Sequence, residues 1–186
     1  INTLSKIVRP EIAVITNIAG AHFKNFNTLR DIAKAKAEII DNISEEGSII
    51  LNKDDRFFNF LSNKAKKKGI FVVSFSLKQK ADIFLLKTIK NKNYYKLKVV
   101  VKNKIFYFNM NHYTENFISN ILSCISVLYV LNLDLKNIRR KLINFSIPGG
   151  RGDIKVVKKF KKKFKFVDES YNANPLSMSS AIKNIS

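Results

Sequence analysis

The chain is poor in the residues that mark secreted, membrane-bound or repetitive proteins. It has one cysteine, Cys124, no tryptophan, three prolines and six glycines among 186 residues. A single cysteine excludes a disulfide framework and favours a reducing compartment, and no apolar run approaches the ~20 residues that a membrane span needs. No signal peptide opens the chain. With 46% hydrophobic residues available for a core, we expect a soluble, cytoplasmic, globular protein.

Acidic residues are also scarce. The chain has 14 of them against 34 lysines and arginines, which gives a formal net charge of +20. Such a charge, taken alone, predicts a nucleic-acid or anionic-surface partner. The lysines nevertheless occur in every segment, as codon drift in an AT-rich genome would also produce, and no RNP, zinc-finger or homeodomain pattern accompanies them. We expect no nucleic-acid partner, and a basic nucleic-acid-binding module stays open as an alternative.

The first 75 residues alternate between short apolar runs and amphipathic helical patterns. Strands are predicted at 12–17, 47–51 and 70–75, and helices at 28–43 and 56–68. Thr28 is a good N-cap with Asp31 in the capping-box position, and Gly69 ends the second helix. Strands that alternate with helices predict βαβ units, and therefore a parallel sheet covered on both faces.

The pattern then changes to an antiparallel meander with strands at 82–89, 95–101 and 105–109, followed by helices at 114–132 and from Asp134 to about Phe145. Residues 148–152, Pro-Gly-Gly-Arg-Gly, form the clearest linker and divide the chain into predicted domains 1–147 and 148–186. Beyond it we expect a hairpin (153–159 and 163–167) and a helix behind Asn174. One βα unit cannot bury both faces, so we expect an incomplete second domain. Because Ile1 leads within a few residues into a core strand and no initiator methionine is present, we also expect a first domain cut at its N-terminus.

One lysine lies in an unexpected place. At roughly 100° per residue, Lys36 falls about 20° from Leu29 and about 40° from Ile40, near the middle of the apolar stripe of its helix, whereas Lys34 falls on the far side. A lysine in low dielectric has its ammonium form disfavoured and is easier to neutralise or modify. The alternative is that the Lys36 stem carries its amine to water at the edge of the stripe.

The residues around Lys36 resemble a known family. The string Thr-Asn-Ile-Ala-Gly-Ala-His22, followed by Ala-Lys-Ala-Lys36-Ala-Glu-Ile-Ile, is similar to the central domain of the Mur ligases, the ATP-dependent enzymes that build the peptide stem of peptidoglycan. The resemblance implies that Lys36 is carbamylated by carbon dioxide and that, with His22, it helps to hold magnesium at the catalytic site. A carbamate is a hard, anionic oxygen ligand suited to this ion.

A second stretch resembles one branch of that family. The linker with Arg151, together with Asp168-Glu-Ser-Tyr-Asn-Ala-Asn-Pro175, is similar to the hinge and first C-terminal motif of the MurF-type ligases, which join D-Ala-D-Ala to UDP-MurNAc-tripeptide. The resemblance implies that Arg151 approaches the nucleotide phosphates and that Asp168, Glu169 and Asn172 lie near the nucleotide. The alternative for Arg151 is a tether for the linker, and for Asn172 a turn-forming role.

A weaker match concerns Asn120, which corresponds to an asparagine near the adenine in many Mur ligases; a capping or surface role is the alternative. His112 is expected to be an exposed loop histidine. The Gly-Lys-Thr/Ser phosphate loop and the magnesium-binding glutamate of the family are not among these residues.

The resemblance therefore implies an internal fragment of an ATP- and magnesium-dependent ligase, inactive alone. It would comprise the latter half of an α/β central ATPase domain, a parallel sheet with an antiparallel meander, and the first βα unit of a Rossmann-like domain. We expect a monomer in the complete enzyme, acting in cell wall biogenesis, cell shape and division. Another Mur-type or folylpolyglutamate-type ligase is the nearest alternative.

Overall fold

The computed structural model describes residues 1–20, 26–111, 113–145, 149–150, 153–159, 161–168, 170–171, 178–179 and 182. It divides into two compact units, Ile1–Asn144 and Phe145–Ser186. The helices of the first unit are α1 (Asn2–Val8), α2 (Leu29–Ala37), α3 (Phe58–Lys67), α4 (Glu115–Val130) and α5 (Leu135–Leu142). Its strands are β1 (Ile12–Ile15), β2 (Ser48–Asn52), β3 (Phe71–Ser76), β4 (Ile83–Lys90), β5 (Tyr95–Val101) and β6 (Lys104–Met110).

The six strands form one sheet in chain order, β1 to β6. The first four strands pair in parallel, and β4, β5 and β6 pair antiparallel. The predicted parallel sheet with an added meander is therefore confirmed. Because parallel strands run in the same direction, the carboxyl ends of β1, β2 and β3 lie along one edge of the sheet.

The sheet is buried on both faces, as βαβ connections require. On one face, α2 and α3 pack over β1 and β2 in a cluster that includes Ile32, Leu61 and Ile49. On the other face, α4 packs over β2 to β6 in a second cluster that includes Ile50 and Leu122. The continuous burial of β2 follows from this arrangement, because its successive side chains enter the two clusters alternately.

The predicted helix ends are largely confirmed. The Thr28 hydroxyl accepts from the Asp31 amide while the Asp31 carboxylate accepts from the Thr28 amide, which completes the capping box of α2. Thr114 caps α4, and Asp134 caps α5 through the Lys136 amide. The helix predicted to reach residue 43 instead tightens at Glu38 into a 3₁₀ segment that ends at Asn42.

The sequence pattern missed α1, because what holds this seven-residue helix is distant in sequence. Its Asn2 amide donates to the Glu38 carboxylate, and the Asn42 side chain donates to the Ser5 hydroxyl over 2.8 Å. Leu4, Ile7 and Val8 are exposed, so α1 has no apolar stripe packed against this unit from which the helix could be predicted. Long-range polar contacts of this kind leave no local periodicity.

The second unit contains a hairpin of β7 (Asp153–Lys159) and β8 (Lys162–Asp168), which confirms the predicted hairpin with its second strand one residue longer at each end. The helix predicted behind Asn174 lies mostly outside the described residues, although Met178, Ser179 and Ile182 are helical. The predicted domain boundary after residue 147 stays a prediction. In the described part of the chain, every helix is too short or too polar to cross a membrane.

Candidate functional site

The carboxyl edge of the parallel strands carries a group of polar side chains from three elements. Asn52 ends β2, Asp55 follows it in the turn before α3, and Lys36 comes from the last turn of α2. All three reach the backbone that continues from β1. This is the edge at which open α/β sheets place their ligands.

Lys36 points toward this edge and not into solvent on the far side of α2. Its Nζ donates a hydrogen bond of 2.8 Å to the carbonyl oxygen of Asn17, two residues beyond β1. The Lys36 side chain is half-buried, while Lys34 on the same helix is exposed. The predicted difference between the two lysines is therefore confirmed.

The environment of Lys36 changes its acidity. Burial lowers the pKa of the amine from its ordinary value because it disfavours the ammonium form, and the carboxylate of Asp55 acts in the opposite direction. The Asn17 carbonyl accepts a hydrogen bond from either protonation state. The neutral amine is therefore more populated at a given pH than in water. This neutral form is the one that adds carbon dioxide.

The backbone beside Lys36 is held at three successive residues. The Asn52 amide donates to the Thr16 carbonyl over 3.0 Å, Lys36 donates to Asn17, and the Asp55 carboxylate accepts from the Ile18 amide over 2.6 Å. In the sequence, residues 52–55, Asn-Lys-Asp-Asp, are typical of a turn, and no local pattern indicates their contacts with residues 16–18. The available clue was a run of polar residues at the carboxyl end of a predicted parallel strand.

Of the two predicted metal ligands, His22 and Lys36, the structure describes only Lys36. His22 lies in residues 21–25, outside the described residues, so the pairing of His22 with Lys36 stays a prediction. Among the residues that the structure does describe, no group of three or more His, Cys, Asp or Glu side chains is placed to hold a metal ion.

Two other predicted site residues are described, each on its own element. Asn120 is exposed in the second turn of α4, where its carbonyl accepts from the Ser123 hydroxyl. Asp168 ends β8, and hydrogen bonds from the hydroxyl and amide of Ser170 lower the pKa of its carboxyl group. Arg151, Glu169 and Asn172 lie outside the described residues, as does His112.

Within the second unit, the linker contacts the motif that follows β8. Gly150 has a φ of +76°, and its carbonyl accepts from the Tyr171 amide over 3.0 Å. A Cβ at Gly150 would lie 3.0 Å from that same nitrogen. The positive φ and this close approach both require glycine, which explains a glycine in the linker. The two stretches that carry the MurF-type resemblance are therefore joined by a hydrogen bond.

Comparison with known proteins agrees with this geometry. The family model described as the Mur ligase middle domain matches residues 2–128. The chain is 27% identical over 186 residues to the UDP-N-acetylmuramoyl-tripeptide--D-alanyl-D-alanine ligase of Rickettsia prowazekii, covering 98% of this chain and 40% of that protein. It is 30% identical over 180 residues to the ligase of the same name from Buchnera aphidicola subsp. Baizongia pistaciae, covering 96% and 38%.

The fold is also similar to that of a solved ligase. A crystal structure of MurF from Acinetobacter baumannii superposes with a TM-score of 0.84 at 26% identity, over 98% of this chain and 38% of that one. The chain thus spans about two fifths of the length of the curated relatives it matches. Because the middle-domain model covers more than half of the chain, and the lysine and sheet edge lie within that match, the chain belongs to the Mur ligase family.

Proposed function

We propose that this chain is part of an ATP-dependent ligase that joins D-Ala-D-Ala to UDP-MurNAc-tripeptide. In the proposed reaction, the terminal carboxylate of the tripeptide attacks the γ-phosphorus of ATP and ADP leaves. The amine of D-Ala-D-Ala then attacks the acyl phosphate, inorganic phosphate leaves, and a peptide bond remains. The match to ligases of this name over 96–98% of the chain supports the branch.

The observation that carries the proposal is the position of Lys36. Its half-buried amine, with a lowered pKa, ends at the carboxyl edge of a parallel sheet, 2.8 Å from a backbone carbonyl. Only a neutral amine adds carbon dioxide, so this setting favours a carbamate at Lys36. A carbamate there would be a hard, anionic oxygen donor, which fits magnesium.

The remaining roles follow from the family resemblance. Lys36 as a carbamate and His22 would hold magnesium, which when bound offsets negative charge on the nucleotide phosphates. Arg151 would bind a phosphate, since its planar fork matches phosphate oxygens. Asp168 and Glu169 would lie near the ribose and the metal, Asn172 would lie near the nucleotide, and Asn120 near the adenine. Glu169 replaces a usual aspartate, and its extra methylene extends its reach.

The proposal also includes the setting of the enzyme. We propose a cytoplasmic, monomeric enzyme of cell wall biogenesis that has no nucleic-acid partner. The phosphate loop needed for ATP is not among these 186 residues. Activity is therefore proposed for the complete enzyme, and the isolated chain is expected to be inactive.

The test uses the complete protein that carries these residues. We expect ADP release that requires both the tripeptide substrate and D-Ala-D-Ala, with formation of the ligated product measured by mass spectrometry. Lys36→Arg is expected to lower the turnover at least about 100-fold, because an arginine stays charged and cannot form a carbamate. Lys34→Arg is the matched control, since Lys34 is exposed on the same helix, and it is expected to leave turnover unchanged.

Three results would contradict the proposal. ADP release without D-Ala-D-Ala, together with no ligated product, would exclude this ligase reaction. A preference for an amino acid or a folate substrate would move the protein to another ligase branch. Equal turnover in Lys36→Arg and Lys34→Arg would remove Lys36 from the catalytic site.

A further inference from the structure

The backbone that follows β1 is held from outside at three consecutive residues. Asn52 binds the Thr16 carbonyl, Lys36 binds the Asn17 carbonyl, and Asp55 binds the Ile18 amide. Two of these three side chains come from the end of β2 and the turn that follows it, more than 30 residues further along the chain. The carbonyl that receives Lys36 therefore lies between two residues whose positions are set by Asn52 and Asp55.

Asp55 does more than shape the turn before α3. Its Oδ1 accepts from the Phe57 amide over 2.8 Å, as a local turn-forming aspartate does. Its Oδ2 accepts from the Ile18 amide, 37 residues away. A charged acceptor makes one of the stronger hydrogen bonds in a protein, so the Ile18 contact ties the residue after Asn17 firmly to the start of α3.

The neighbouring aspartate binds a different loop. Asp54 accepts from the Ser76 hydroxyl over 2.7 Å and from the Leu77 amide over 2.6 Å, both at the end of β3. Asp54 and Asp55 are adjacent in sequence, similarly half-buried, and both bind backbone amides. Asp54 is therefore a matched control for any effect that Asp55 exerts on Lys36.

We propose that Asp55 and Asn52 are positioning residues for Lys36. They fix the backbone at residues 16–18 so that the Asn17 carbonyl receives the lysine amine at the carboxyl edge of the sheet. In the ligase this holds Lys36 where a carbamate is needed, a consequence that rests on the function proposed above. Neither residue is assigned a contact with substrate or nucleotide.

The first test is amide hydrogen exchange at Ile18 in the complete protein, measured by mass spectrometry with residue-level fragmentation. Asp55→Ala is expected to speed exchange at Ile18 about 10- to 100-fold, because the bond to a charged acceptor is lost. Asn52→Ala is expected to speed it less, and Asp54→Ala to leave it unchanged. If Asp55→Ala does not fold, Asp55→Asn and Asn52→Ala provide the same comparison.

Coupling to Lys36 distinguishes a positioning role from a local role in the turn before α3. If Asp55 only shapes the turn before α3, the effects of Asp55→Ala and Lys36→Met on the rate of Ile18 exchange should multiply in the double variant. Both side chains hold the same backbone. We therefore expect the increase in Ile18 exchange rate in the double variant to be at least about threefold smaller than the product of the two single increases. The effects of Asp54→Ala and Lys36→Met on the Ile18 exchange rate should multiply. Multiplicative behaviour of the Asp55 pair would overturn the proposal.

The second test reads the modification directly. With ¹³C-labelled bicarbonate, the wild-type protein and Asp54→Ala should show a carbamate resonance that Lys36→Met lacks, and Asp55→Ala should lose at least half of its intensity. An undiminished resonance in Asp55→Ala would overturn the positioning role even if ligation is observed. Failure of ligation, with coupling and resonance as expected, would instead overturn the proposed function and leave the positioning role standing.

Discussion

At the scale of single residues, the chemistry of this chain depends on where a side chain ends and not on its type. The chain has 34 basic residues, yet among the lysines in the described part of the chain Lys36 alone combines a lowered pKa with a hydrogen bond to the Asn17 carbonyl. Burial disfavours its charged form, and Asp55 partly offsets this effect. A single residue, Ala35, separates it from the exposed Lys34.

We expect the Lys36 amine to titrate below its ordinary pKa of 10.5. Cyanate labelling across a pH series, followed by peptide mass spectrometry, measures the midpoint, and the same series in denaturant is the control. Between the lowered pKa and 10.5 the unfolded chain binds more protons at Lys36 than the folded protein, so Lys36 makes stability rise with pH in this window. A folded-state midpoint at or above 10.5 would contradict the prediction.

Gly47 is a second residue whose environment decides its identity. A Cβ there would lie 2.5 Å from Ile43 Cγ2 and 2.8 and 2.9 Å from the carbonyl oxygens of Ser44 and Glu11. Gly47→Ala should therefore lower the free energy of unfolding by about 1–3 kcal/mol, measured by urea denaturation. Gly149→Ala, where no atom lies within 4 Å, should change it by less than about 0.5 kcal/mol. Equal effects would contradict the steric explanation.

At the scale of elements, polar side chains join strands of the sheet where parallel pairing changes to antiparallel pairing. Asp82, just before β4, accepts from the Ser74 amide and hydroxyl on β3 and from the Lys102 amine after β5. Burial acts to raise the pKa of Asp82, but the hydrogen bonds from Lys102 and Ser74 outweigh burial and lower it. The parallel part of the sheet is thus linked to the meander by one carboxylate.

Asp82→Asn is expected to destabilise the protein by about 1.5–3 kcal/mol at neutral pH, because hydrogen bonds to a charged group are lost. Because the pKa is lowered on folding, this contribution is complete above the ordinary value of 3.8 and disappears as pH falls through the lowered pKa. Denaturation of wild type and variant in a pH series should therefore converge in acid. A difference in the free energy of unfolding that stays constant down to the most acidic pH would contradict the prediction. Lys102→Met removes only one partner of Asp82 and should destabilise the protein less than Asp82→Asn.

At the scale of the whole molecule, the described chain is a sheet between two helical layers followed by a separate basic hairpin. Adjacent residues of β2 belong to different hydrophobic clusters, Ile49 to the one under α2 and α3 and Ile50 to the one under α4. Both side chains are fully buried. The sheet therefore depends on both layers, and neither face of β2 tolerates exposure.

We expect Ile49→Ala and Ile50→Ala each to lower the free energy of unfolding by about 2–5 kcal/mol, the usual cost of truncating a buried isoleucine. The corresponding valine variants should cost about 0.5–1.5 kcal/mol. Val14→Ala is the matched strand control, because Val14 is 37% exposed on β1, and its cost should be clearly smaller. Tolerance of either Ile→Ala variant would mean that one helical layer does not pack as described.

The net charge of +20 is expected to carry no nucleic-acid function. On the hairpin, side chains alternate between faces, so Lys155, Lys159 and Lys162 lie on one face while Lys158, Lys163 and Lys165 lie on the other. A nucleic-acid platform would need them on one face. Mobility-shift assays with short DNA and RNA should show no shift near physiological salt and at most a weak one at low salt. A shift that persists at physiological salt would contradict this.

Much of the fold was predictable because its signals are local. Periodicity and caps located β1 to β6 and the helices α2 to α5, since each pattern is set by residues a few positions apart. The 3₁₀ end of α2 and the helix α1 were not predictable, because contacts such as Asn42 with Ser5 join residues 37 apart. At the site, wheel geometry predicted the inward side of Lys36 but not its partner, because a backbone carbonyl leaves no sequence pattern.

The amino-acid sequence alone determined the alternating α/β plan, the two lysines on opposite sides of α2 and the family motifs, because these depend on spacing along the chain. Only the tertiary structure decided that Asp55 and Asn52 hold the backbone beside Lys36, and that Gly150 lies against Tyr171. Both depend on the packing of segments far apart in sequence. The physical reason is that burial and charge act through space, so the acidity of a lysine is set by whatever folds against it.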